Sequence, residues 1–141
     1  MFDLHYDLLS YIYMNRNNIN KIKRHFNKIF NNNITGGIFN LFYMTKEEMK
    51  DELGIKPQEI DVIKNLKTVK NIIDKNSLIP AHINYMFGIE GLDYLKNIDD
   101  IDILYEFGVR SVNPVWSNKN KFGGGIRSKK RTYKMWRRTY T

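Results

Sequence analysis

Two short segments of the sequence contain side chains that are suited to metal chemistry. His5 and Asp7 lie two positions apart in the segment DLHYD at 3–7, so in an extended strand their side chains project to the same side. Glu90 lies in the segment GIEG at 88–91, whose glycines allow backbone or substrate to approach closely. Imidazole and carboxylate groups are ligands that zinc accepts in open catalytic sites. A thiolate site is excluded because the sequence contains no cysteine.

The hydrophobic pattern predicts the elements that would position these residues. Four short apolar runs are typical of buried strands, at Met1–His5, Ile38–Met44, Ile83–Ile89 and Val109–Val115. Three stretches between these runs have apolar residues at helical spacing. The first contains Ile19, Ile22, Phe26 and Ile29, and the second contains Val62, Leu66, Val69 and Ile73. The third, which Asp99 is placed to cap, is expected to bury Ile101, Leu104 and Tyr105.

The alternation of strands and helices is typical of βαβ units around a parallel sheet, and it predicts an α/β fold. An apolar share of 42% and an aromatic share of 13% exclude disorder over the whole length. In a parallel barrel, residues at the carboxyl ends of different strands meet at one mouth. We therefore expect His5, Asp7 and Glu90 to converge.

The same residues also have structural interpretations. Asp7 is well placed to cap the helix that follows it, and Glu90 to cap the next helix or to pair with Arg110. His25 lies among the cations of its helix, which predicts a solvated helix face. His82 precedes the third strand, so we expect a structural role at the end opposite to Glu90.

The net charge of +8 is concentrated at one end of the chain. Residues 127–141 contain seven cations and no acid, whereas residues 1–126 contain 16 cations and 15 acids. Cations alternate with aromatic residues in this tail, so an alternative function is a small basic nucleic-acid-binding protein. Its contact residues would be Arg127, Lys130, Arg131, Trp136, Arg137 and Arg138. The near-neutral body has no recognised nucleic-acid motif, which argues against this alternative.

Four segments, in order, resemble the renal (membrane) dipeptidase family. DLHYD at 3–7 is similar to the family's Asp-x-His-x-Asp motif, and GIEG at 88–91 to its Gly-(Val/Ile)-Glu-Gly motif. LYEFGVR at 104–110 resembles its Leu-Tyr-x-Leu-Gly-Val-Arg segment. NPVWSN at 113–118, followed by FGGG at 122–125, resembles the next strand and loop of bacterial members.

The resemblance implies a zinc dipeptidase on the N-terminal half of a (β/α)₈ barrel, with about four βα units. It assigns His5 and Asp7 to the first of two zinc ions and makes Glu90 the bridge between both. A metal-activated water would then hydrolyse the peptide bond of a dipeptide. Trp116 takes the place of the family's substrate-binding histidine. The alternative is another amidohydrolase-like metal hydrolase, but its usual first-strand signature is His-x-His, and Asp7 in the second position favours the dipeptidase.

The resemblance also implies that part of the site lies elsewhere. In the family, two further metal-ligand histidines, an arginine and an aspartate come from the second half of the barrel. We expect a partial domain at 1–126 and a poorly ordered basic tail at 127–141 that has no counterpart in the family and derives from a frameshift near Lys129. We also expect little or no peptidase activity from this chain alone. No signal peptide or membrane span is visible, so a cytoplasmic location without a membrane partner is predicted. The intact family often forms homodimers, which makes a homodimer a further expectation.

Overall fold

The computed structural model describes residues 1–44, 46–54, 56, 61–116 and 119–126. Within them, four strands form one parallel sheet in the order β1-β2-β3-β4. The strands are β1 (Phe2–Tyr6), β2 (Gly36–Phe42), β3 (Asn84–Glu90) and β4 (Val109–Asn113). The bounds of each strand lie within two residues of those predicted, so the four apolar runs are confirmed as strands.

Helices connect the parallel strands, as βαβ topology requires. They are α1 (Leu8–Met14), α2 (Ile19–Phe30), α3 (Lys46–Leu53), α4 (Val62–Asn76) and α5 (Ile101–Glu106). The α/β class is therefore confirmed. Four consecutive parallel strands with intervening helices are compatible with a partial TIM-barrel-like unit.

The two long helices form where the sequence has an apolar stripe and a capping side chain. In α4 the side chain of Asp61 accepts a hydrogen bond from the backbone N–H of Lys64 at 2.9 Å, and in α2 Asn18 does the same for Lys21 at 3.0 Å. The predicted α4 stripe is fully confirmed as core: Val62, Leu66, Val69 and Ile73 are all buried. In α2 the buried residues are Ile22, Phe26 and Ile29.

The sequence suggests a helix after Asp7 but does not delimit α1, because its seven residues are too few to show a helical period. Helix α1 packs on the sheet through three side chains with no exposed surface, namely Leu8, Leu9 and Ile12. The Ser10 hydroxyl accepts a hydrogen bond from the backbone N–H of Phe42 at 3.1 Å. This contact fixes α1 against the carboxyl end of β2.

Two details of the third predicted helix were wrong. Asp99 does not cap α5 but lies inside a 3₁₀ turn, Ile98–Asp100, and Asp100 occupies the N-cap position. Tyr105 is 62% exposed rather than buried. Its ring lies against the guanidinium of Arg110, 3.7 Å from the ring centroid, which is a stable environment for an aromatic ring outside the core. Leu104 is fully buried as predicted.

None of the helices in the described part of the chain combines the length and the apolar character that a membrane span requires.

Candidate metal centre

His5, Asp7 and Glu90 come together at the carboxyl ends of β1 and β3. The distance from His5 Nε2 to Asp7 Oδ1 is 3.6 Å, and to Glu90 Oε2 it is 3.5 Å. One ligand atom from each residue lies within 4.8 Å of the other two. Among the described residues this is the one cluster of three or more potential ligand side chains. The convergence expected from the sequence is therefore present.

The spacing of these atoms suits a small divalent cation. In a tetrahedral zinc site with ligand bonds near 2.0–2.1 Å, neighbouring ligand atoms are about 3.3–3.4 Å apart. The two measured separations are 3.5 and 3.6 Å, slightly longer than this value and longer than an ordinary hydrogen bond. One nitrogen and two carboxylate donors also form a ligand set that zinc accepts. The residues present fit the metal that the resemblance implies.

Solvent reaches the cluster unequally. The side chains of His5 and Asp7 are 47% and 52% exposed, whereas that of Glu90 is 16% exposed. The cluster is thus open on the β1 side and enclosed on the β3 side. Three donors with an open side leave room for water or substrate, as catalytic metal sites do.

The groups around Glu90 shift the pKa of its carboxyl group in opposite directions. Burial raises the pKa of Glu90, and the neighbouring His5 lowers it. Asp7 raises this pKa further, and a hydrogen bond that the Asn113 side chain donates to the carboxylate lowers it. The net shift is upward, so the free carboxylate is held in a place where a cation would stabilise it.

Asn113 was missed by sequence reasoning as a partner of Glu90. The two residues are directly paired in the register of β3 and β4, and both lie at the ends of their strands. In the sequence, Asn113 stands out only as part of a family-like segment. The available signal was its position at the end of the fourth strand, where a polar residue meets the other strand ends.

Two glycines shape the sheet around Glu90. Gly91 has φ +87°, and a Cβ at this position would lie 2.8 Å from the carbonyl oxygen of Tyr43, so only glycine fits the turn that follows Glu90. At Gly88 an added Cβ would overlap Oδ1 of Asn40, its register partner in β2. The side chain of Asn40 therefore occupies the space above Gly88, and it is 3% exposed.

Asp7 and Glu90 do not make the capping and pairing contacts that their structural interpretations predict. Asp7 occupies the N-cap position of α1, but its side chain makes no capping hydrogen bond. Arg110 does not pair with Glu90, because its guanidinium donates to the carbonyl oxygens of Tyr105 and Val109, each at 2.8 Å. No helix begins directly after Glu90, since the chain there forms turns up to the 3₁₀ segment.

The two other histidines lie outside the cluster. His82 is exposed and precedes β3, at the sheet end opposite to Glu90, as predicted. The prediction of a solvated face for His25 was wrong. Its ring is partly buried, stacks on Tyr11 with centroids 4.0 Å apart, and its Nε2 lies 2.8 Å from the hydroxyl of Tyr6. Both partners come from other elements, so the local sequence around His25 could not reveal them.

Of the remaining predicted contact residues, the structure describes Trp116 but not those of the tail. The Trp116 ring stacks on Phe42, with centroids 6.3 Å apart, and Phe42 is the register partner of Glu90. Trp116 therefore lies near the cluster, at the same end of the sheet. The proposed nucleic-acid contacts lie outside the described residues; they are Arg127, Lys130, Arg131, Trp136, Arg137 and Arg138.

Over 113 residues the chain is 26% identical to a protein of Acinetobacter calcoaceticus described as "Uncharacterized protein in PQQ-III 3'region", which covers 76% of this chain and 34% of that protein. The chain thus spans about a third of the length of the curated relative it matches. No solved structure gives a significant match.

A family model named "Membrane dipeptidase (Peptidase family M19)" matches residues 1–139. The matched range overlaps the tail at 127–141, whose boundary and frameshift origin stay predictions. Because the match covers nearly the whole chain, the family assignment does not depend on the three site residues alone. The chain belongs to the membrane dipeptidase family.

Proposed function

We propose that this chain carries the zinc-binding part of a metal-dependent dipeptidase. The observation that supports it most is the convergence of His5, Asp7 and Glu90 at the carboxyl ends of two strands, with ligand-atom separations near those of a zinc site. Membership of the membrane dipeptidase family supplies the reaction class, a hydrolase acting on dipeptides. A zinc ion held by these residues would supply the Lewis acidity that activates a water for attack on the peptide carbonyl.

The exposure and the contacts of each residue suggest its role in the site. His5 and Asp7, on the open side, would hold one ion, and the enclosed Glu90 would bridge towards a second. The hydrogen bond that Asn113 donates to the Glu90 carboxylate would help to orient this ligand. Trp116, stacked on Phe42 at the same sheet end, would contact the dipeptide.

Zinc binding by the full chain tests this proposal. Competition with a chromophoric chelator measures the affinity of the wild type and of the His5→Ala and Glu90→Gln variants. We expect both variants to lose more than about 100-fold, because residues that only orient metal ligands already contribute 10–100-fold. Matched controls are His82→Ala and Glu106→Gln, which change the same residue types outside the cluster. Equal affinity in variants and wild type would refute the assignment.

A further inference from the structure

Tyr6 lies between two of the proposed ligands in sequence, and its side chain contacts the helix layer. Its hydroxyl is 2.8 Å from Nε2 of His25 in α2, and its ring meets Phe39 edge-on with centroids 6.5 Å apart. Successive side chains of a strand project to opposite faces. The side chain that meets the helices therefore determines which way its neighbours, His5 and Asp7, project.

His25 is held firmly enough to act as an anchor. Its ring stacks on Tyr11 of α1 with an interplanar angle of 27°, and the next residue in α2, Phe26, is buried. Burial, together with the nearby Lys28, lowers the pKa of His25, which favours a neutral ring. A neutral ring that carries its proton on Nδ1 accepts the hydroxyl proton of Tyr6 at Nε2.

The ligand segment is irregular in its strand pairing, and its two ligand side chains are exposed. The pairing of β1 with β2 is regular at Asp3 and resumes at Tyr6, with a register shift between them, so His5 lies in the irregular part. Asp7 follows the end of β1. Both ligand side chains are about half exposed, so packing does not hold them. The buried Leu8 holds the chain after Asp7, and Tyr6 is the residue between the two ligands whose side chain contacts the helix layer.

We propose that Tyr6 and His25 are positioning residues of the metal site. Their hydrogen bond fixes the rotation of the backbone at Tyr6 and thereby directs His5 and Asp7 towards Glu90. This inference rests on the proposed function, and neither residue contacts the metal. Without the hydrogen bond, the exposed ligand segment samples other orientations. Metal binding must then also order the segment, which lowers the metal affinity.

The first test removes one hydroxyl from the full chain. Tyr6→Phe keeps the edge-on contact of the ring with Phe39. The matched control Tyr85→Phe changes another strand tyrosine that contacts Phe39, in this case by stacking with centroids 5.6 Å apart. Cobalt is used as a spectroscopic probe, with zinc affinity measured by chelator competition. We expect Tyr6→Phe to weaken zinc binding by about tenfold, the lower end of the range for groups that orient ligands. The cobalt absorption bands shift, and Tyr85→Phe leaves both properties unchanged.

The second test separates positioning from general stability. His25→Gln keeps a hydrogen-bond acceptor for the Tyr6 hydroxyl, whereas His25→Leu does not. Both variants lose the stacking on Tyr11, so both lose similar stability in chemical denaturation. We expect the glutamine variant to bind zinc more tightly than the leucine variant. In the metal-free chain, which has three histidines, the NMR signals of the His5 ring shift in Tyr6→Phe but not in Tyr85→Phe.

The outcomes distinguish this inference from the function on which it rests. If the wild type binds no zinc, the metal site itself is refuted and the positioning role with it. If the wild type binds zinc and Tyr6→Phe binds it equally well, with unchanged cobalt bands, only the positioning role is refuted. The same holds if affinity merely follows stability across all four variants.

Discussion

At the residue scale, Glu90 combines enclosure with a nearby like charge. Its side chain is 16% exposed, and Asp7 adds to the effect of burial on its pKa. A protein that only had to fold would gain by neutralising such a carboxylate. A bound cation would balance the negative charge of Glu90, which explains why the site keeps a carboxylate here. Carboxylates with shifted pKa values are common in functional sites.

Replacement of Glu90 by glutamine is expected to stabilise the metal-free chain at neutral pH. The raised pKa means that the folded chain binds the Glu90 proton more tightly than the unfolded chain does. The contribution of Glu90 to stability is therefore most favourable in acid and falls as the pH rises through and above its ordinary value of 4.5. Chemical denaturation at neutral and at acidic pH measures this, and Glu90→Gln removes that part of the pH dependence.

Glu106→Gln is the matched control, because Glu106 is an exposed helical glutamate outside the cluster. A Glu90→Gln variant that is less stable than the metal-free wild type at neutral pH would contradict this account of the carboxylate. The same variant is expected to lose zinc binding, so stability and metal affinity change in opposite directions.

At the scale of elements, Asp7 and Asp61 offer a direct contrast. Both occupy N-cap positions, but only Asp61 accepts a hydrogen bond from a helical N–H, that of Lys64. Asp61→Ala is therefore expected to cost about 1 kcal/mol of unfolding free energy, as the loss of a capping side chain does. Asp7→Ala is expected to cost much less in the metal-free chain.

Zinc affinity should reverse the order of these two variants. Asp7→Ala removes a proposed ligand, and Asp61→Ala leaves the cluster intact. Denaturation curves and zinc titrations on the same two proteins provide the comparison. If Asp7→Ala is as destabilising as Asp61→Ala and binds zinc normally, Asp7 is a structural cap rather than a ligand.

The helices and strands that could be predicted were those whose apolar residues recur at regular spacing. The α4 stripe and the four strands were located correctly because spacing alone determines which of their side chains are buried. The bounds of helix α1 were missed because its seven residues are too few to show a helical period. The surroundings of His25 were misjudged because its contacts come from other elements. Tyr105 matched the apolar stripe of α5, but Arg110, five residues later, provides its contact. The convergence of His5 with Glu90 was predictable only because parallel strands end at a common edge.

At the scale of the whole molecule, the sheet has two edge strands in its described part. β1 pairs with β2 and β4 pairs with β3, so each has one free side. The described residues also contain a single three-ligand cluster, with one imidazole. A two-metal centre needs further ligands, which the resemblance assigns to the second half of the barrel.

The purified 141-residue chain saturated with zinc is therefore expected to hydrolyse dipeptides poorly or not at all. The three residues can hold one ion, and the described residues contain no second cluster of three potential ligands. A chromogenic or ninhydrin-based assay with a panel of dipeptides measures this. Robust hydrolysis that is lost in Glu90→Gln would show that the chain itself completes the centre.

The central claim is that His5, Asp7 and Glu90 together hold zinc, and X-ray absorption at the zinc edge tests it most directly. The full chain loaded with one equivalent of zinc should show nitrogen and oxygen neighbours at about 2.0–2.2 Å, with the scattering of a single imidazole ring. That imidazole signal should disappear in His5→Ala and persist in His82→Ala. Two or more imidazoles, or a shell that is unchanged in His5→Ala, would contradict the account.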